Sequence, residues 1–550
     1  MKNILLLCIL LFTFGNANEN NTQLKKMIGG MLLVGFDKTT LDSNDTFLQS
    51  LSTYNIAGVI LFDKFYNDKN KTKNIANPQQ LKQLTTQLQQ QTNHHIFIAL
   101  DQEGGKVARM KKQYGFHPAP SATDIAKKTP LEALDIYDTQ AKELEQEGIN
   151  LNFAPVVDLC ANPKNNVIVK LKRCYSSDPT EVVFYASLMI DAQTNHHILS
   201  SAKHFPGHGS SLADSHKGFV DITNTWTPQE LQPYTILINN HKLDMIMTAH
   251  VFNAKLDPSY PATLSYAINT QLLREKLGFD GVIISDDMQM EAISAHYSLK
   301  EALTLAINAG VDLLLFGNQL SSTDITTIIN TINAQVEKGF ISKERIQESY
   351  QRIQNLHTKQ SIIQKPIDFG EQRVALTKAY IKKHYAKDVD TITITPRMVV
   401  VHWTAVDNLK DSFARLYPQT LLSDRKDIAQ ASALNVSSHF LIDRDGTIYQ
   451  LMPENWMARH VIGLNYSAIG IENVGGKDNK IEDLTPAQLD ANIRLIRYLQ
   501  AKYPTIEHII GHYEYRDFEN TPLWLEKDAG YRTHKVDPGK TFMKRLRDAL

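Results

Sequence analysis

A chain of 550 residues outgrows the single hydrophobic core that serves an ordinary domain, so two or more domains are expected. With 42% hydrophobic and 21% charged residues the composition is that of a globular protein, and a net charge of −1 leaves no electrostatic case for a nucleic-acid partner.

The chain starts with Lys2, the apolar run ILLLCILLFTF and then Gly15-Asn16-Ala17. A charged start, a short apolar stretch and a small-residue end form the pattern of a secretory signal over residues 1–17, cleaved after Ala17; an uncleaved anchor is the alternative. A periplasmic protein is therefore expected. No other stretch approaches the roughly 20 apolar residues of a membrane-spanning helix, so no stable membrane insertion is expected. Cleavage would leave Cys160 and Cys174, an even pair in an oxidising compartment, either bonded or as two free thiols, since spacing alone fixes no geometry.

Between residues 30 and 320 eight apolar, β-rich runs follow one another: MLLVGF, AGVILF, IFIAL, INLNFAPVVD, ILSSA, MIMTAH, GVIISD and VDLLLF. Amphipathic helical segments separate most of them, among them EVVFYASLMIDAQ after the cap-and-proline pair Asp178-Pro179. Wholly apolar strands alternating with helices imply a parallel sheet covered on both faces, and eight of them imply a closed (β/α)8 barrel over residues 18–357. A doubly wound open sheet is the alternative. In a barrel the functional residues sit at the C-terminal strand ends, and there the sequence places Asp101, Asp158, Lys203 with His204, His250 and Asp286.

Residues 358–395 loosen into charged helical and turn-like sequence (KKHYAKDVDTITITPR) expected to be a join. From 396 to 550 a second alternating pattern begins, with MVVVHW, SHFLIDRDGTIYQL, SAIGIENVG and HIIGH as strands. TPAQLDANIRLIRYLQAKY reads as an amphipathic helix capped by Thr485 with Pro486 at its first position. The expectation is a smaller α/β domain with a mixed sheet.

The first region resembles glycoside hydrolase family 3, in particular its single-barrel β-N-acetylglucosaminidases. The resemblance rests on DQEGGKVAR (101–109), NFAPVVD (152–158), RCYSSDP (173–179), KHFPGHGSSLADSH (203–216), MTAHVFNAKLDPSYPATLS (247–265) and SDDMQM (285–290). It implies Asp286 as nucleophile and Asp214 with His216 as the acid/base pair. An ionised carboxylate captures the oxocarbenium-like carbon, and a histidine titrating near neutrality protonates the leaving oxygen and later deprotonates water. Asp287 competes with Asp286 for the nucleophile's place. The resemblance also implies that Asp101, Arg109, Arg173, Lys203 and His204 hold the sugar. Lys106 departs from the arginine common in relatives.

The C-terminal region resembles the zinc-dependent N-acetylmuramoyl-L-alanine amidases related to peptidoglycan recognition proteins, through VVVHWTA, SAIGIENVGG, HIIGHYEY and HKVDPGK. It implies His402, His512 and Asp537 as ligands of Zn2+, Glu472 as the base and Lys535 as oxyanion stabiliser. Two histidines and a carboxylate leave a fourth position for water, as in a catalytic site. His439, His460 and His534 stay unassigned, with His534 the rival ligand. Together the two resemblances imply a bifunctional hydrolase of peptidoglycan fragments, that is muropeptides with or without 1,6-anhydro ends. The alternatives are a β-N-acetylhexosaminidase whose C-terminal module binds peptidoglycan without cutting it, and a barrel acting on chitin-derived sugars.

Overall fold

The computed structural model describes residues 21–550 except Ser43, Asn93 and residues 215–217. The expected signal segment 1–17 and the predicted acid/base His216 lie outside the described residues. The chain divides into two compact units between His357 and Thr358. Among the described residues no helix is long and apolar enough to cross a membrane.

In the first unit each of the eight apolar runs supplies one strand: β1 (Leu32–Gly35), β2 (Gly58–Ile60), β3 (Phe97–Leu100), β4 (Leu151–Asn152), β5 (Leu199–Phe205), β6 (Met245–Thr248), β7 (Val282–Ser285) and β8 (Leu314–Phe316). Their order in the sheet is β8-β1-β2-β3-β4-β5-β6-β7, and all neighbours run parallel. A parallel bridge between Ile284 and Leu313 brings β7 back to β8, so the sheet closes on itself as a barrel and the open-sheet alternative falls away. Strands buried on both faces explain the predominantly apolar runs. The helix after Asp178-Pro179 spans Pro179–Asn195, and Asp178 accepts from the Thr180 amide as its cap. Cys160 and Cys174 are bonded, Cα atoms 5.5 Å apart, which settles the two readings left open by the sequence.

The second unit holds a mixed six-stranded sheet of β9 (Ile363–Gln364), β10 (Met398–Trp403), β11 (Phe440–Ile442), β12 (Ile448–Gln450), β13 (Ala468–Asn473) and β14 (His508–Gly511), in the order β9-β12-β11-β13-β10-β14. Only the β11–β12 hairpin is antiparallel. Because side chains alternate across a strand, Val399 and Val401 of β10 enter the core under the helix Pro486–Lys502, while Met398 and Val400 enter a second core on the opposite face. His402 shares the face of Met398 and Val400. Thr485 caps the helix in a reciprocal capping box.

The segment 358–395, expected to be a join, is built into this unit. It supplies β9 and a helix, Glu371–Tyr385, whose Tyr380, Ile381 and Tyr385 are buried. Arg373 donates to the carbonyls of Leu416 and Tyr417 at 3.1 Å, and His384 bonds Glu526 at 2.9 Å. The charged surface of this helix hid its buried side in the sequence. The terminal helix Lys540–Ala549 has no counterpart in the sequence reading.

Candidate active sites

At the C-terminal ends of the barrel strands a cleft of about 700 Å3 is lined by Asp101, Glu103, Arg109, Arg173, Lys203, His204, Asp214, Asp286 and Asp287, among others. Every described residue predicted for the sugar site or for catalysis in the barrel thus meets here. Their placement follows from the fold: Asp101 stands just past β3, Lys203 and His204 end β5, and Asp286 directly follows β7.

The floor of the cleft is an alternating charge network. Asp101 takes Arg109 at 2.8 Å on one oxygen and Lys203 at 2.7 Å on the other. Glu103 takes Arg173 through a fork of two 2.7 Å bonds and Lys203 at 2.8 Å. Burial pushes both carboxyl groups up, but the adjoining cations override it and hold them below the usual carboxylate range. For Lys203 burial pulls down while Asp101 and Glu103 win and raise it. All three groups therefore stay charged in a nearly dry setting, as rigid donors and acceptors at the floor of the cleft. Asp158, buried beneath, bonds the His204 ring at 2.7 Å, and Arg173 meets the other ring nitrogen at 3.2 Å.

Glu103 and Asp158 are the residues that the sequence-based assignment of roles missed. Glu103 lies inside the DQEGG motif, where Asp101 at the strand end drew the assignment. Of the other strand-end residues, His250 serves the core, bonding Thr263 Oγ1 at 2.8 Å and the Asp287 carbonyl at 3.0 Å. Asp286 Oδ1 accepts from the Asp287 amide at 2.8 Å, whereas Asp287 Oδ1 accepts from the Gln289 amide at 3.0 Å and so braces its own turn.

The loop after β5 leads to Asp214 and is tied down from below. Buried Glu230 accepts from the Gly209 amide at 3.0 Å, and a side chain at Gly207, φ +120°, would strike Glu230 at 2.6 Å. Burial, with Asp158 nearby, raises the Glu230 carboxyl to about 7.

In the second unit the sheet register assembles the other site. His402 stands directly opposite Glu472 on the neighbouring strand, and Val401 stands opposite Gly511, so His512 emerges beside His402. Asp537 arrives from the segment before the last helix. His402 Nδ1 and His512 Nδ1 lie 2.9 Å apart, with Asp537 Oδ2 at 3.3 and 2.9 Å from them. Burial is the largest influence on His512 and brings it down to about 3, so its ring is neutral; Asp537 is held below the carboxylate range, burial being overridden by His512 and His402.

Neutral imidazole and ionised carboxylate are the states that bind a divalent metal. A tetrahedral ion with bonds of about 2.0–2.1 Å holds its ligand atoms about 3.3 Å apart, so these three atoms need to spread by only a few tenths of an ångström. The residues fit the group. His460 Nδ1 meets His402 Nε2 at 3.0 Å and so orients that ring from behind, while His534 is exposed and outside the cluster. Glu472 Oε2 is buried with no hydrogen-bond partner, a buried acceptor with capacity to spare, and burial followed by the charge of Asp537 raises this carboxyl. Lys535 lines a small cavity of about 40 Å3 together with His512 and His460.

The closed barrel with its charged cleft and the sheet with its three converging ligand atoms belong to two hydrolase domains. Residues 22–356 match the glycosyl hydrolase family 3 N-terminal domain and residues 393–540 match N-acetylmuramoyl-L-alanine amidase. The chain belongs to glycosyl hydrolase family 3 and carries a domain of that amidase family. It is 35% identical over 340 residues to beta-hexosaminidase A of Pseudoalteromonas piscicida, covering 56% of this chain and 54% of that one. To the beta-hexosaminidase of Tolumonas auensis it is 36% identical over 296 residues, covering 52% and 83%. The chain thus spans about half the length of the first of these relatives. The crystal structure of beta-N-acetylhexosaminidase from Beutenbergia cavernae shares the fold, with TM-score 0.54, 24% identity and coverage of 61% of this chain and 98% of that one.

Proposed function

We propose that the chain is a bifunctional peptidoglycan hydrolase of the periplasm that removes N-acetylglucosamine from muropeptides and cuts the bond between N-acetylmuramic acid and L-alanine. The observation that carries this reading is the presence, in one chain, of a family 3 cleft and of His402, His512 and Asp537 converging beside Glu472. The relatives named for hexosaminidase activity support the first half.

In the barrel, Asp286 attacks the anomeric carbon and forms a covalent glycosyl-enzyme. His216, oriented by Asp214, gives its proton to the leaving oxygen and later takes one from water, so configuration is retained. Asp101, Arg109, Arg173, Lys203 and His204 hold the hydroxyl and N-acetyl groups, with Glu103 and Asp158 fixing their orientation.

In the second unit His402, His512 and Asp537 would hold Zn2+, which when bound lowers the pKa of water and polarises the amide carbonyl. Glu472 accepts a proton from the attacking water at its buried Oε2 and delivers it to the leaving amine. Lys535 donates to the developing oxyanion. The test is mass spectrometry of products from a purified disaccharide-tetrapeptide, with and without a zinc chelator. Free N-acetylglucosamine and free peptide, with chelation stopping only the peptide, are expected. Peptide that never appears with zinc present would leave the second unit a binding module.

A further inference from the structure

The floor of the barrel cleft is charge-balanced, but one side of its rim is not. The loop after β2 brings Lys64 and Lys69 to the cleft, and the hairpin after β3 brings Lys106. Of the acids on this side, Asp63 holds Lys111 at 2.6 Å, Asp101 holds Arg109 and Lys203, and exposed Asp68 accepts from the Asn70 amide at 3.0 Å within its own turn, one acid against three lysines. Among the described residues no ion pair takes up Lys64, Lys69 or Lys106. The whole chain has 58 lysines and arginines against 59 acids, so this local excess is not the general background.

The rim is also built rather than loose. Lys64 bridges to Thr72 across the loop, and Gln319 clamps it from β8's side, donating to the Lys64 carbonyl at 3.0 Å and accepting from the Tyr66 amide at 2.9 Å. Lys69 lies 4.7 Å from the ring of Tyr66, which is 40% exposed, and Lys64 lies 5.5 Å from the ring of Tyr114. Burial, then Arg109 and Lys111, depress the Lys69 ammonium, which shows how closely the cations crowd. Lys64 Nζ donates to Thr72 Oγ1 at 3.3 Å and to the Asn70 carbonyl at 3.4 Å, neutral partners that leave its charge in place. An exposed tyrosine beside ammonium groups that no acid neutralises makes a surface for a glycan that carries a carboxylate.

We propose that this rim is an aglycone subsite that reads a carboxylate on the sugar leaving the barrel, and so separates muropeptides from neutral chitin-type disaccharides. The inference rests on the reading that the barrel releases N-acetylglucosamine. Two carboxylate sources share this chemistry: the stem peptide while it is attached, and the lactyl group once the amide has been cut. The first would place the glycosidase step before the amidase step, the second after it.

The experiment uses the full chain with Asp537→Ala, so that the peptide stays attached, and its Lys64→Gln/Lys69→Gln derivative. Release of N-acetylglucosamine is measured on the disaccharide-tetrapeptide, on the peptide-free disaccharide with its free lactyl carboxylate, and on neutral diacetylchitobiose. With each exposed charge contributing a factor of a few, the kcat/KM ratio of charged to neutral substrate should fall about tenfold in the derivative. Salt should collapse the parent's ratio in the same direction. A fall for the peptide-bearing substrate alone identifies the stem peptide; a fall for the peptide-free one alone identifies the lactyl group. An unchanged ratio for both overturns the subsite while leaving the glycosidase intact. No turnover of any substrate by the parent overturns the glycosidase reading itself, and the subsite with it.

Discussion

Replacing Glu103 by glutamine should weaken the barrel because one buried carboxylate serves two buried cations. Glu103 is 6% exposed, Arg173 8% and Lys203 2%, and Glu103 meets them at 2.7 and 2.8 Å. Glutamine keeps the shape and one acceptor but removes the charge, leaving Arg173 unpaired by any acid and Lys203 with Asp101 alone. Breaking a buried pair by removing one partner costs about 3–5 kcal/mol. At an unfolding entropy of about 2 cal/mol/K per residue, spread over the unit ending at His357, the barrel transition falls by about 4–7 °C. Differential scanning calorimetry of the full chain reads it, with the second unit's transition as internal reference. Adding Arg173→Met to Glu103→Gln should cost less than the two single changes summed, because the orphaned charge is gone. A barrel transition that moves by less than about 1 °C in Glu103→Gln would show that the network is not a paired charge system at all.

Asp286→Ala should abolish release of N-acetylglucosamine and leave amide cleavage intact; loss of both by product mass spectrometry would undermine two independent sites. Asp537→Ala should strip zinc and amidase activity only, and normal metal content by elemental analysis would point to another ligand. Replacing Cys160 and Cys174 by serine opens a loop with a sequence separation of 14 and should cost about 3 kcal/mol of barrel stability in the chain-entropy model, read by calorimetry against the parent. Glu230, about 7 in the folded barrel against an ordinary 4.5, retains a proton that the unfolded chain releases. Its contribution is full below about pH 4.5 and lost as pH rises through about 7, about 3 kcal/mol in all. Glu230→Gln should therefore exceed the parent in stability at pH 8 and match it at pH 4.5, and equal stability of the two at pH 8 would contradict the assignment.

Much of the barrel was legible because its strands are buried on both faces, which writes most of them as apolar runs. Asp101, Lys203, His204 and Asp286 were legible because polar side chains at strand ends break those runs at fixed places, whereas Arg109 and Arg173 came only from the motifs they sit in. Glu103 escaped for the converse reason: it acts from a hairpin just beyond the strand, where acidic residues are common and carry no periodic mark. Asp158 was seen as a strand end, but its work through the His204 ring depends on a contact across 46 residues that no local pattern encodes. In the second unit the three cluster residues are 110 and 25 residues apart; the pairing of β10 with β14 brings the two histidines together, and Asp537 joins them from the segment before the last helix. The disulfide needed Cα atoms in range, a matter of tertiary geometry. That the helix Glu371–Tyr385 packs into the second unit was not legible because its buried side is mostly tyrosine, histidine, threonine and arginine, with Ile381 its one aliphatic member.

That helix bears on where the second unit can be cut. Asp537 reaches the cluster at the end of a long connection from His512, and this connection is pinned at Tyr515, whose hydroxyl donates to the Thr533 carbonyl at 2.6 Å, and at Glu526, which bonds His384. Residues 393–540 are the stretch shared with the amidase family, but His384, Tyr380 and Tyr385 lie ahead of it. A fragment begun at 393 keeps His402, His512 and Asp537 but loses one of the two anchors of the connection that carries Asp537, so ancestry and packing set different boundaries in this part of the chain.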